Sequence, residues 1–281
     1  MGATKPMGEI TRGTTNPNRL RRCDRWLASM HTHLLTRRNN PTWIVDLGYG
    51  ASPITTLDMA NHLAAHPDIA RHTHTANLRI RGLEIDPQRV HHAHTVMQQR
   101  RKTGHPEPIA VDFALGGFET PLPDNAQATV IRAFNVLRQY DEKDVPQAWE
   151  TLCSRLTPEG IVIDGTCNEL GRRTTWITLN RSGPIHLTIS IKHGAWQRPS
   201  DIAERLPKAL IHHNIPGTRI NAFLTDWDDV WARNSHHATF GQRQWFIAAC
   251  ANLRDRGWPL LDGPRRWRLG EVTIHWDAVA P

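Results

Sequence analysis

The stretch that decides the fold is Trp43-Ile44-Val45-Asp46-Leu47-Gly48-Tyr49-Gly50-Ala51-Ser52-Pro53. Its first five residues read as a short buried strand. Gly48-Tyr49-Gly50-Ala51 reads as a turn. Ser52-Pro53 reads as a helix start, with Ser as N-cap and Pro at the first helical position. That helix carries Ile54, Leu57 and Leu63. Two glycines in such a turn let the backbone approach a ligand closely, and a helix start offers free N–H groups to a polar or anionic one.

The alternation continues outward. Residues 78–85 read as a second strand, and Asp86-Pro87 opens a helix that runs to about Lys102. Ile109-Ala110-Val111 is a third strand, residues 128–133 a fourth and residues 161–163 a fifth. Between the last two, Asp144 opens a helix with the stripe Val145, Trp149, Leu152 and Leu156. Strands separated by helices at this spacing predict a parallel sheet covered on both faces. Open sheets of this kind bind ligands outside the carboxyl ends of their strands. Glu84 is placed at the tip of the second strand, where an acid can accept hydrogen bonds from both hydroxyls of a ribose. Asp112 and Phe113 are placed at the tip of the third.

The glycine loop is not a dinucleotide fingerprint. Pro53 stands where the third glycine belongs, and Glu84 lies 36 residues past Gly48 where the spacing should be about 20. No Gly-Lys-Ser/Thr follows, which excludes a P-loop. The pattern resembles instead the class I S-adenosylmethionine-dependent methyltransferases. Their acid-x-Gly-x-Gly motif matches Asp46, Gly48 and Gly50, with Tyr49 between the glycines. Their second-strand acid matches Glu84 and their third-strand acid Asp112. Their fourth-strand region resembles residues 128–137, and the turn before their fifth strand resembles Arg155-Leu156-Thr157-Pro158-Glu159-Gly160. The likeness covers residues 42–165. It departs at Ser52 and at the missing second glycine of the later turn.

The resemblance implies an α/β fold, a Rossmann-like sheet with helices on both faces, extended by an N-terminal helix and a Trp-rich C-terminal elaboration. It implies S-adenosylmethionine as cofactor. Gly48, Tyr49 and Gly50 would lie beneath its methionyl and ribose parts, and Glu84 would hold the ribose hydroxyls. Ile85 would pack on the adenine, with Asp112 accepting from its amino group and Phe113 beside it. Asn135 and Arg132 would meet the methionine end or the acceptor. No catalytic residue is implied. Tyr140, Asp164, His186 and His193 are candidate bases.

The segments divide into a tail (1–17), a basic helix (18–40), the cofactor-binding core (41–165) and an elaboration (166–281) that completes the sheet and covers the substrate site. Leu20, Cys23, Leu27, Met30 and Leu34 mark one face of the basic helix. Residues 66–77 read as a polar insertion. Residues 176–179 and 186–191 flank Arg181-Ser182-Gly183-Pro184 as a hairpin. Helical patterns follow near 200–213, broken at Pro207, and at 222–234 and 242–255, with a last strand near 271–276. Eight of the eleven tryptophans fall from Trp176 onward, which suggests an aromatic substrate lid.

Net charge is +7, and it is uneven: residues 1–38 hold eight Lys/Arg against two Asp/Glu. The basic helix and the turn Arg265-Arg266-Trp267-Arg268 could engage RNA. No apolar run approaches the ~18 residues of a membrane helix, and residues 1–18 lack the apolar stretch of a secretory signal. Cys23, Cys153, Cys167 and Cys250 form no CxxC pair, which fits a reducing cytoplasm. The 17 histidines show no metal-ligand spacing, so no metal is expected. The leading reading is methyl transfer to a small molecule or an unidentified acceptor. RNA methylation and a non-catalytic cofactor-binding module are the alternatives, and oligomeric state is open.

Overall fold

The computed structural model describes residues 6–37, 41–72 and 77–281. Parts of the expected tail, basic helix and polar insertion therefore lie outside the described residues. Helices α1 (Arg21–Met30) and α2 (Thr32–Leu35) precede β1 (Thr42–Leu47), α3 (Ile54–Ala64) and α4 (Pro67–Ala70). Then come β2 (Leu78–Glu84), α5 (Pro87–Lys102), β3 (Ala110–Leu115), β4 (Ala128–Phe134), α6 (Val145–Ser154) and β5 (Leu156–Cys167). The remainder forms β6 (Arg173–Asn180), β7 (Gly183–Ile191), α7 (Lys208–Ile211), α8 (Arg219–Arg233), α9 (Gln242–Asp255), α10 (Pro264–Trp267) and β8 (Glu271–His275).

Among the described residues these strands form one sheet in the order β3-β2-β1-β4-β5-β6-β7-β8. The first five are parallel, and β5 through β8 run antiparallel. The period of two along a strand sorts side chains between the faces. In β1, Trp43, Val45 and Leu47 enter the core shared with Leu152 of α6 and Phe223 of α8. Ile44 enters the opposite core with Leu27 of α1, Leu57 of α3 and Met97 of α5. Both faces are covered, so the strands can be apolar throughout.

Local details differ from the sequence reading for identifiable reasons. The N-terminal helix breaks at His31 (φ −123°, ψ 29°), so Met30 swings out to 45% exposure while Trp26 and Asp24 turn inward. Ser52 does not cap α3; Pro53 takes the N-cap position without a side-chain bond. Asp86 does cap α5, accepting from the Gln88 N–H at 2.8 Å. The third strand runs on to Leu115. The tryptophans of the second half are packing groups. Trp227 and Trp267 are fully buried, and Trp231 stacks on Trp245 at 3.6 Å. Trp196, Trp227, Trp231 and Trp267 fill one face of the antiparallel strands, while Trp176 packs on Trp26 on the other. Among the described residues no helix is long and apolar enough to cross a membrane.

Candidate functional site

The site forms at the carboxyl ends of β1, β2 and β4. Gly48 (φ +68°) and Gly50 (φ +88°) both take the left-handed conformation that glycine adopts without a Cβ clash. A Cβ on Gly48 would stand 2.6 Å from Val136 Cγ2. The Gly48 N–H donates to the Leu83 carbonyl at 2.8 Å, tying the loop to β2. Glu84 completes the unit. Its Oε2 accepts from the Gly50 N–H at 3.0 Å and its Oε1 from the Ile85 N–H at 3.0 Å. The Arg89 guanidinium lies 3.5 Å from Oε2, and the Glu84 residue is 1% exposed.

Asp46 forms the floor of this edge and faces inward. Thr56 donates to its Oδ2 at 2.7 Å and the Arg132 Nε to its Oδ1 at 2.9 Å. Register pairing of Asp46 with Arg132 puts both on the face under α1 and α3. Arg132, wholly buried within β4, also pairs with Asp24 of α1, whose Oδ2 is hydrogen-bonded to His62 of α3 at 2.8 Å. Burial works against the Arg132 charge, but Asp46 and Asp24 outweigh it and raise its pKa. The group is a buried brace that fixes the loop to two helices. Arg132 therefore faces the core and lines neither hollow at this edge, unlike the place at the methionine end or the acceptor that the resemblance implied.

Asn135 follows β4 in a left-handed conformation (φ +58°). Its Oδ1 accepts from the Cys167 N–H at 3.0 Å, and the residue lines a hollow with Gly48, Gly50, Asp46, Tyr49 and Phe134. The Tyr49 ring packs edge-on to Phe113 at 5.1 Å. Its hydroxyl has no hydrogen-bond partner among the described residues, and burial raises its pKa, helped by Glu84 and Asp46. Ile85 lines a second hollow on the other side of the loop, with Glu84, Gly116, Phe118, Val136 and Tyr140. Asp112 is not at the edge. Because β3 continues to Leu115, Asp112 faces Arg81 on β2, which holds it in a two-bond ion pair at 2.8 and 2.5 Å. Phe113 lies under Tyr49 and lines neither hollow. Phe118 occupies the edge of β3 instead, a position that Gly116-Gly117 could have signalled as the true end of the strand.

Residues 7–15 close the site from above. Gly13 accepts from the Ala51 N–H at 2.8 Å, taking one of the donors of the loop. The Thr11 carbonyl accepts from Arg89 at 2.8 Å, and the Arg12 N–H donates to Gln139 at 2.7 Å. Further along, the Glu9 N–H donates to the Tyr140 hydroxyl at 2.5 Å and the Phe118 N–H to the Met7 carbonyl at 2.9 Å. Beneath this strap the hollows measure only about 70 and about 20 Å³. Sites for small ligands usually offer about 300–1,000 Å³. Nothing in the sequence of the tail signalled that it would lie here.

Of the candidate bases only Tyr140 lines a hollow beside the loop. Asp164 is buried against the Trp149 Nε1–H at 3.0 Å, and His186 packs on His275 at 5.6 Å. His193 lies in a separate crevice. Among the described residues no group of His, Cys, Asp and Glu is arranged to hold a metal ion.

No known family model matches the chain, and no curated protein matches it. Solved structures do align with it. The mitomycin 7-O-methyltransferase MmcR aligns at 16% identity over 53% of this chain and 36% of its own, with a TM-score of 0.33. The plantazolicin methyltransferase BpumL in complex with S-adenosylhomocysteine aligns at 14% identity over 54% and 48%, TM-score 0.34. The CcbJ methyltransferase from Streptomyces caelestis aligns at 14% identity over 64% and 68%, TM-score 0.34. The chain thus spans less than half the length of the first two. Its five parallel strands in the order β3-β2-β1-β4-β5, covered on both faces, are those of a Rossmann-like α/β sheet, here extended by three antiparallel strands.

Proposed function

We propose that the edge formed by Gly48, Gly50 and Glu84 binds S-adenosylmethionine and that the protein transfers its methyl group to a small-molecule or unidentified acceptor. The observation that carries this is the direct bond from the Gly50 N–H to the Glu84 carboxylate. It joins the close-approach loop and the second-strand acid into one ligand-facing unit. The residues fit the cofactor in kind. Glu84 would hold the ribose hydroxyls, Ile85 and Phe118 would flank the adenine, and Gly48 and Asn135 would lie along the methionyl part. The space fits only when the strap over residues 48–51 lifts.

Bound there, the cofactor supplies an electrophilic methyl on a sulfonium with a neutral leaving group. The chain's part is then to align the donor with the acceptor and exclude water. Burial raises the pKa of Tyr140, which makes its phenol a poor proton acceptor near neutral pH. Transfer on this site therefore favours an acceptor that arrives already nucleophilic.

Calorimetric titration with S-adenosylmethionine, S-adenosylhomocysteine and NAD tests the reading. Binding of the first two is expected, with a loss of about tenfold or more in Glu84→Ala, since two charge-assisted bonds disappear. Binding of NAD alone, or binding indifferent to Glu84→Ala, overturns it.

A further inference from the structure

A second and larger crevice, of about 580 Å³, lies at the same edge of the sheet on the other side of α1. Arg19 and Leu20 line the hollow at the glycine loop, and the next residues, Arg21, Arg22 and Arg25, line this crevice. The far wall comes from elements remote in sequence: Lys192 after β7, Arg243 of α9, and Arg266 and Arg268 at α10. Its one acid, Glu271, is already paired with Arg266. Among the described residues Arg21, Arg25, Lys192, Arg243 and Arg268 have no carboxylate partner.

The cations press on one another. Burial lowers the Arg22 pKa, Glu271 opposes this, and Arg21 and Arg25 add to the lowering. His193 is likewise lowered by burial and, against a bond to the Arg268 carbonyl, by Arg22 and Arg243. A concave, uncompensated cluster of this kind is relieved by an anion. The preponderance of arginine suits phosphate oxygens, which the guanidinium fork can hold with two bonds.

The basic lining does not stop at this crevice. Arg243 and Arg268 also line an adjoining hollow of about 480 Å³, where Arg265 adds another cation. Phe240, 72% exposed, stands in its wall. Two linked hollows that share two arginines form a track longer than a single phosphate group needs. A bare aromatic ring at the end of such a track is a stacking surface for a base.

We propose that this track binds single-stranded nucleic acid through its phosphodiester backbone, with Phe240 stacking on a base. The inference concerns binding and stands apart from the methyl-donor reading. The positive charge concentrated in residues 1–38 becomes part of a shared site because residues of α9 and α10 line the same crevice as Arg21, Arg22 and Arg25 of α1.

The test is fluorescence anisotropy of the full chain with labelled RNA and DNA strands of about twelve nucleotides. Binding is expected to weaken by about tenfold or more between about 50 and about 200 mM salt. The double substitution Arg243→Gln/Arg268→Gln, at exposed positions, is expected to weaken binding about tenfold and to reduce the salt slope by about two phosphate contacts. Phe240→Ala is expected to weaken binding about fivefold with the salt slope unchanged. The double substitution Arg101→Gln/Lys102→Gln on α5 removes the same charge elsewhere and should change affinity less than about twofold. Tighter binding of one strand type identifies which nucleic acid the track takes. Absence of binding at low salt, equal loss in the α5 variant, or binding of tripolyphosphate with none of either strand overturns the proposal. Circular dichroism confirms that each variant is folded.

Discussion

Arg132 shows how a single residue can be visible in the sequence and still be misplaced. It falls within the fourth strand of the sequence reading, and the resemblance gave it a place at the methionine end or the acceptor. The structure keeps it inside β4, because Asp46 and Asp24 meet it on the covered face. Removing one partner from such a brace leaves charge buried without compensation. Arg132→Met is expected to cost about 3–5 kcal/mol in urea unfolding, far more than the loss of an exposed ion pair. A cost near that of a surface pair would mean that the brace is solvated in solution. Asp112 teaches the complementary point. An acid near a strand end looks the same whether it faces a ligand or a neighbouring strand. The continuation of β3 to Leu115 and the cross-strand Arg81 decide the matter, and the partner is 31 positions away in the chain.

At the scale of elements, the strap over the glycine loop matters most. Its hold depends on backbone groups bonded to the Ala51 N–H, Arg89, Gln139 and Tyr140. A ligand that needs the strap open binds with its affinity reduced by the open fraction. Tyr140→Phe removes the acceptor of the Glu9 N–H while keeping the ring. It should loosen the strap and strengthen S-adenosylhomocysteine binding by about fivefold, the equivalent of one ordinary hydrogen bond. Faster trypsin cleavage after Arg12 in the same variant would show that the strap itself has been released. Unchanged affinity and unchanged cleavage would mean that the bond does not hold the strap down. The helices of the core were legible from their stripes and caps. The strap was not, since a polar, glycine-rich segment carries no periodic signal and its position is set entirely by what it covers.

The stability of the whole molecule carries a pH signature from Asp164. Burial in the core between β5 and α6 pushes its pKa up to about 7, against a lowering by the Trp149 indole bond. In the unfolded chain the same group ionises near pH 4. The native state therefore holds this proton more tightly, and the contribution of Asp164 favours folding most below about pH 4. That contribution falls as pH rises from there to about 7 by about 1.4 kcal/mol per pH unit at most, and the loss then levels off. Asp164→Asn keeps the shape and the acceptor for Trp149 but cannot ionise. It should raise stability at pH 8 by about 2 kcal/mol or more and have little effect at pH 4. Parallel urea titrations at the two pH values check this. A variant equally or less stable at pH 8 would show that Asp164 is ionised without penalty.

The sequence by itself determined the parallel half of the sheet, the glycine loop and the acid Glu84 beside it. These depend on strand periodicity, turn chemistry and spacing, all written within short windows. It also determined the hairpin of β6 and β7, the split at Pro207 and the excess of positive charge near the start of the chain. The tertiary structure alone decided where that charge goes. It brought Arg21, Arg22 and Arg25 opposite Arg243 and Arg268, more than two hundred positions on, and turned a basic helix face into the wall of a crevice. It also decided that Asp46 faces a brace, that Asp112 faces Arg81, and that residues 7–15 occupy the ligand edge. Each of these outcomes depends on which of several possible partners lies closest in space, and local sequence does not encode that choice.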